Sequence, residues 1–296
     1  MPRLGVLGWP VAHSRSPAMH NAALAFLEMF DWRYQRLPVP PELFAETTRA
    51  LGRCGFVGAN VTIPHKQAAL ALADGASDAA SAIGAANTLT FASDGTVAAE
   101  NTDAPGLISA LGSSPRGLRA LVLGAGGSAR AAAWALREAG ASEVSVWNRT
   151  SERARTLARD LGVRAVGKPE PADLLINCTS VGLQGPAAPV PSGRHGRSAA
   201  MSSLAESETL GQLGETLGQL GLTPEAVGEY PYVVDMVYQA EGPTPLIAAA
   251  SARGARTLDG LEILLAQGAL SFELWTGRAA PLEAMRGALR GADERH

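Results

Sequence analysis

The stretch Leu118-Arg119-Ala120-Leu121-Val122-Leu123-Gly124-Ala125-Gly126-Gly127-Ser128-Ala129 runs an apolar segment of strand length straight into a glycine-rich turn. A helical pattern follows from Ala131 to Glu138, closed by Gly140, and a second strand runs from Glu143 to Trp147. Strand, glycine turn, helix and strand in that order match the G-x-G-x-x-G/A fingerprint of dinucleotide binding in its required context. Gly124 makes the tight turn, Gly126 lets the backbone approach a pyrophosphate, and Ala129 packs helix on strand. The helix N-terminus supplies N–H donors for the phosphates, with Ala125, Gly127 and Ser128 completing the loop.

At the end of the second strand a dinucleotide unit that takes NAD carries Asp or Glu for the ribose 2′-OH. Here that position reads Asn148-Arg149-Thr150, with Arg153 four residues beyond Arg149, where a helix brings the two cations together. Two cations and a hydroxyl suit a 2′-phosphate, so the pattern points to NADP rather than NAD. Further apolar strands run from Asp173 to Asn177 and from Val233 to Tyr238. The first ends in Cys178-Thr179-Ser180, a small-residue loop suited to lie against a ligand.

The region before this unit has its own strands, Arg3 to Leu7, Trp32 to Val39 and Phe56 to Thr62, with a helix from Pro41 to Leu51. It also contains Asn60-Val61-Thr62-Ile63-Pro64-His65-Lys66. The chain has 25 lysines and arginines together, and only Lys66 and Lys168 are lysines. Arginine stays protonated at ordinary pH, whereas a lysine can lose and regain a proton. Lys66 is therefore either a tunable acid/base or a surface lysine at a helix start, with Pro64 in the first turn. The polar residues Thr62, Lys66, Asn87 and Asp103 all fall where strands stop, the edge at which α/β sheets bind ligands. Ser14 and Ser16 flank Arg15 ahead of Pro17. Read alone they favour an N-cap and a turn, although two such hydroxyls can also hold a carboxylate. His13 and His20 lack a third ligand nearby and read as structural or surface residues. No metal cluster is expected.

Composition bounds the rest. A chain of 296 residues accommodates two domains, and a net charge of −3 gives no global argument for nucleic acid or an acidic membrane surface. No run approaches the roughly 18 apolar residues needed to span a bilayer. Cys54 and Cys178 are far apart, which fits a reducing compartment with both thiols buried. From Leu183 to Tyr230 the pattern breaks down. Pro186, Pro189 and Pro191 interrupt it, and Thr209-Leu210-Gly211-Gln212-Leu213-Gly214 recurs as Thr216-Leu217-Gly218-Gln219-Leu220-Gly221. Each glycine costs a helix about 1 kcal/mol, so this segment is expected to be a marginal surface helix or mobile loop outside the chemistry.

Taken together, Ser14-Arg15-Ser16-Pro17, Asn60 to Lys66, Gly84 to Thr88, Asn101-Thr102-Asp103, Gly124 to Ala129, Asn148-Arg149-Thr150, Asn177 to Ser180, Asp235-Met236-Val237-Tyr238 and Gln267 resemble the shikimate dehydrogenase family along nearly the whole chain. The resemblance implies an α/β protein of two domains, a discontinuous substrate-binding domain (1–103 with 260–296) and a Rossmann-type NADP domain (104–259) with an atypical insertion at about 183–230. It implies NADPH-dependent reduction of 3-dehydroshikimate to shikimate in the cytoplasm, by a monomer or homodimer with no nucleic-acid or membrane partner. Lys66 and Asp103 would form the catalytic pair. Ser14 and Ser16 would take the substrate carboxylate, Asn60, Thr62, Asn87 and Gln267 the ring hydroxyls, and Tyr238 would line the site. Thr179, Met236 and Gly260 would join the cofactor contacts. The rivals are an NAD-using quinate/shikimate dehydrogenase, a non-catalytic relative that senses NADP and a cyclic acid, and a relative that reduces a different small cyclic acid.

Overall fold

The computed structural model describes residues 1–183, 213–239 and 242–291. The first sheet holds β1 (Arg3–Gly8), β2 (Arg33–Pro38), β3 (Phe56–Val61), β4 (Gly75–Ala76), β5 (Thr88–Phe91) and β6 (Val97–Glu100), in the order β2-β1-β3-β5-β6-β4. The strands β2, β1 and β3 are parallel, while β5 runs antiparallel to both β3 and β6. That reversal decides which residues meet. Asn60 pairs with Thr88 and Thr88 with Glu100, so the C-terminal ends of β3 and β6 and the N-terminal end of β5 share one edge. Around this sheet pack α1 (Ser16–Phe26), α2 (Phe44–Leu51), α3 (Lys66–Leu72) and α4 (Asp78–Ile83).

Helix α5 (Asp103–Leu111) leads away from that edge to the second sheet: β7 (Arg119–Leu123), β8 (Glu143–Trp147), β9 (Arg164–Ala165), β10 (Leu174–Asn177), β11 (Tyr232–Asp235) and β12 (Arg256–Leu258). Its order is β12-β11-β10-β7-β8-β9 with every neighbour parallel. This is the doubly wound nucleotide-binding order, with its switch point between β7 and β10. The apolar runs of β7, β10 and β11 are buried throughout apart from Arg119, as a parallel sheet covered on both faces requires. The connecting helices are α6 (Gly127–Glu138), α7 (Ser151–Leu161), α8 (residues 213–219), α9 (Pro224–Val227) and α10 (Pro245–Ser251). The chain returns through α11 (Gly260–Thr276) and ends the described region in α12 (Leu282–Gly291), which packs on α1. Helices α5 and α11 cross where a Cβ on Gly106 would lie 2.9 Å from the Gln267 Cα, so the two passages between sheets touch backbone to backbone.

Several local expectations change. Helix α1 begins at Ser16 itself, with Arg15 as N-cap and no side-chain cap, because the Ser14 hydroxyl instead accepts from the Ser16 N–H at 3.3 Å. Pro64 sits in a turn closed by His65 N–H donating to the Thr62 carbonyl, and α3 starts only at Lys66. Strand β11 stops at Asp235, leaving Met236 to Tyr238 as loop. Cys54 is exposed, unlike Cys178, since it ends a 3-10 turn rather than facing a core.

The largest correction concerns the repeat. Pro186, Pro189, Pro191 and most of its first copy lie outside the described residues. The second copy is no marginal surface element: α8 carries Leu217 into the core of the second sheet, where Leu220 joins it just beyond the helix end, both 0 % exposed, with Leu222 beside them. Tertiary burial of leucine overrides the poor propensity of glycine. Leu220→Ala should therefore lower the unfolding free energy by about 2–5 kcal/mol, the usual cost of a cavity at a fully buried leucine. Denaturant unfolding measures this, and a loss below about 0.5 kcal/mol, the range of surface substitutions, would return the segment to the surface.

Candidate active site

The shared edge of the first sheet faces the C-terminal ends of β7 and β10. Two cavities lie between them. The smaller, about 150 Å³, is lined by every residue expected to touch substrate: Ser14, Ser16, Asn60, Thr62, Lys66, Asn87, Asp103, Tyr238 and Gln267. The larger, about 720 Å³, is lined by Gly124 to Ser128, Asn148, Arg149, Thr150, Arg153 and Thr179. Ala129 is fully buried beneath it, as its packing role requires. Met236 and Gly260, expected on the cofactor, line the smaller cavity, because the end of β11 and the start of α11 meet there. Both cavities include Ile63, Lys66, Ser128, Cys178, Thr179 and Ser180, which form the join between them.

At this join Lys66 is 9 % and Asp103 5 % exposed. The Lys66 ammonium donates to Asp103 Oδ2 at 2.5 Å and to Ser128 Oγ at 2.9 Å. Asp103 Oδ1 accepts from the Asn87 amide at 2.9 Å, and the same amide donates to Gln267 Oε1 at 3.1 Å. Thr102 N–H donates to Asn87 Oδ1 at 2.7 Å, which fixes the orientation of that amide. Asn60 is held as firmly: its Oδ1 accepts from the Tyr34 hydroxyl at 2.7 Å, and its Nδ2 donates to Thr88 Oγ1 at 3.2 Å. Asn60 and Asn87 thus stiffen the wall as well as lining it. At the other end the Ser14 and Ser16 hydroxyls lie 3.2 Å apart, Arg36 donates twice to the Ser14 carbonyl, and Arg15 N–H donates to the Tyr238 hydroxyl at 3.2 Å. Burial raises the Tyr238 phenol above its ordinary range, so it stays a neutral donor and acceptor.

The larger cavity fits a dinucleotide. Gly124 holds φ +114°, a left-handed conformation that suits glycine, and a Cβ there would come within 3.1 Å of the Cys178 carbonyl. A Cβ on Gly126 would meet nothing within 4 Å, which leaves the backbone of the α6 N-terminus open to a pyrophosphate. Among the described residues the guanidinium groups of Arg149 and Arg153 have no hydrogen bond or ion pair, and both are exposed on the cavity wall. The described residues contain no group of His, Cys, Asp and Glu able to hold a metal ion.

The structure also supplies residues that sequence reasoning passed over. Tyr34, buried in β2, fixes Asn60. Thr102 fixes Asn87. Gln219, from the second copy of the repeat, lines the larger cavity. His20 is fully buried against Tyr34, with ring centroids 4.2 Å apart, and burial pushes its pKa down to about 3, so it is a neutral core residue. Of Tyr34, Thr102 and Gln219, only the inward position of Tyr34 in an alternating strand could have been read beforehand; His20 takes the structural one of its two expected roles, structural or surface.

Asp235 ties the two loops of the second sheet together. It is 1 % exposed, and it accepts from Asn177 Nδ2 at 2.9 Å, Val237 N–H at 3.1 Å and Thr244 Oγ1 at 2.6 Å. Burial raises its pKa from 3.8 to about 6, against those hydrogen bonds and with help from the Asp259 charge. The folded state therefore holds a proton that the unfolded chain releases first. Its contribution is favourable at low pH and is lost as pH rises to about 6, a difference of about 3 kcal/mol. Asp235→Asn should gain stability relative to wild type across that window, read by urea unfolding at pH 4 and pH 7. A difference independent of pH would contradict this.

Fold and cavities together define a pyridine-nucleotide oxidoreductase. The description "Shikimate dehydrogenase substrate binding domain" matches residues 6–89, "Shikimate / quinate 5-dehydrogenase" residues 109–177, and "Shikimate 5'-dehydrogenase C-terminal domain" residues 260–290. A shikimate dehydrogenase (NADP(+)) of Thermus thermophilus is 42 % identical, covering 99 % of each chain, and that of Paracoccus denitrificans is 41 % identical, covering 94 % of this chain and 91 % of its own. A solved shikimate 5-dehydrogenase from a second Thermus thermophilus strain, in complex with NADP(H) and shikimate, superposes with a TM-score of 0.79 at 39 % identity, covering 99 % of this chain and all of its own. The chain belongs to the shikimate dehydrogenase family.

Proposed function

We propose that the protein is a shikimate dehydrogenase that reversibly reduces 3-dehydroshikimate to shikimate with NADPH. The observation that carries this is the buried Lys66–Asp103 pair at the join of a small cavity lined by convergent polar side chains and a dinucleotide-sized one. NADPH, when bound, supplies the hydride to the carbonyl carbon. Negative charge then builds on the carbonyl oxygen, and Lys66 donates the proton that completes the alcohol; in reverse it takes that proton back. Asp103 holds the ammonium in place. Ser14 and Ser16 receive the substrate carboxylate beside Tyr238, and Thr62, Asn60, Asn87 and Gln267 face the ring hydroxyls. Arg149, Arg153 and Thr150 hold the 2′-phosphate.

In this reading residues 1–103 with 260–296 form the substrate domain and 104–259 the nucleotide domain. The α5–α11 crossing at Gly106 supports that division, since both passages between sheets run there. The enzyme acts in the cytoplasm as a monomer or homodimer on a small molecule, without nucleic acid or membrane. Among the described residues no helix is long and apolar enough to cross a membrane.

The test is NADPH consumption on adding 3-dehydroshikimate, with NADH as control and quinate with NAD in reverse. Rapid consumption with NADPH well ahead of NADH is expected. A folded protein that binds NADP yet consumes none would make it a sensor, and equal use of NADH would favour the quinate/shikimate alternative.

A further inference from the structure

Lys66 starts α3, packed around the first sheet, but one of its two hydrogen-bond partners comes from the second-sheet unit. An ammonium has three N–H donors. Asp103 takes one and Ser128, from the first turn of α6, takes another. The nucleotide loop is built onto this lysine: a Cβ on Gly127 would lie 2.6 Å from Lys66 Cβ and 3.0 Å from Cδ. The glycine lets the loop pack on the aliphatic stem, and the next residue meets the charged end. Nothing in the G-x-G-x-x-A pattern asks for a hydroxyl at position 128. The α6 N-cap is Gly126 with no side-chain cap. Among the described residues the Ser128 hydroxyl bonds only Lys66.

We propose that Ser128 is a positioning residue for the reaction, in addition to lining the cofactor cavity. Its hydroxyl fixes the second donor of Lys66, so that with Asp103 on the first donor the third N–H is left for the substrate oxygen. A lysine tethered by Asp103 alone can rotate about one contact; two contacts from different helices, α5 and α6, set its direction. A hydroxyl achieves this without adding a second negative charge beside the ammonium. The device also makes the orientation of Lys66 depend on the nucleotide-binding unit being docked against it. This rests on Lys66 being the proton donor.

The experiment compares wild type, Ser128→Ala and Ser128→Thr, measuring kcat, both KM values and direct NADP binding by calorimetry. Loss of one hydrogen bond to a charged group predicts a fall in kcat of about 10- to 100-fold in Ser128→Ala. KM for 3-dehydroshikimate and affinity for NADP should change less than about two-fold, because uniform binding is not what was removed. Ser128→Thr, which keeps the hydroxyl on the same atom position, should recover most of kcat. An unchanged kcat would overturn the proposal. So would a loss confined to NADP affinity, which would make Ser128 a plain phosphate ligand, or a folded threonine variant no better than alanine. Adding Ser128→Ala to Lys66→Ala should cost nothing further, since the two act through one ammonium. Substantial turnover in Lys66→Ala alone would instead defeat the proton-donor reading, a separate result.

Discussion

Lys66→Arg is expected to abolish most turnover while leaving 3-dehydroshikimate bound. The substitution keeps the positive charge, so the ion pair with Asp103, 2.5 Å in the native protein, can persist and the polar wall keeps its balance. What is lost is the proton. A guanidinium does not release one at ordinary pH, so the developing alkoxide has no acid, and general acid catalysis contributes about 10²- to 10⁴-fold. The fall in kcat should have that size, with KM for the ring acid within a few-fold of wild type. Arginine is also longer and must fit under Gly127, whose Cα lies over the Lys66 stem. NADP binding is therefore measured alongside, to separate lost chemistry from a displaced loop. Retention of more than about a tenth of wild-type kcat would remove Lys66 from the role of acid, because positioning alone does not need an exchangeable proton. Truncation to alanine is a harsher change. It leaves Asp103 buried without its cation, and an uncompensated buried charge costs about 3–5 kcal/mol.

The nucleotide-binding sheet was legible because its signal is local. Leu118 to Ala129 spells strand, turn and helix in adjacent residues, and the structure carries them as β7 and the start of α6. The polar residues at strand ends were legible for a similar reason: Asn60 and Thr62 lie at the end of β3, Asn87 just before β5, and Lys66 and Asp103 at the starts of the helices that follow strands. The antiparallel reversal of β5 then brings them to one edge, which no spacing states. Contacts made across the fold were beyond reach. Ser128 meets Lys66 over a separation of 62 residues, and Tyr34 meets Asn60 between strands. Local propensity also misled where tertiary structure overruled it. Ser16 looked like a cap, but the hydroxyl of Ser14 turns inward to the Ser16 N–H. The glycines at 218 and 221 argued against a packed element, yet Leu217 and Leu220 bury it.

Removing both Arg149 and Arg153 should convert cofactor preference rather than activity. Strand β8 ends without an acid, and the loop that follows is pinned by Asn148 Nδ2 donating to the Thr150 carbonyl at 2.9 Å. The two guanidinium groups stand beside this loop on the cavity wall with no protein partner among the described residues. A 2′-phosphate carries about −1.5 to −2 charges at neutral pH by analogy with a phosphorylated side chain, and a guanidinium matches its oxygens in a bidentate fork. Each such bond is worth about 1.5–3 kcal/mol, but both arginines are exposed, and solvent screening discounts the sum. The double variant Arg149→Ala/Arg153→Ala should then lose about 100-fold in kcat/KM for NADPH, with NADH changed little. Salt provides an independent reading. Raising ionic strength from about 0.05 to 0.5 M shortens the Debye length severalfold, and should erode the NADPH preference of wild type but not of the variant. Equal losses with both cofactors would mean that the arginines serve the pyrophosphate or the fold. No loss with either would shift the 2′-phosphate away from the arginines to other donors on that wall, Thr150, Thr156 and Gln219 among them.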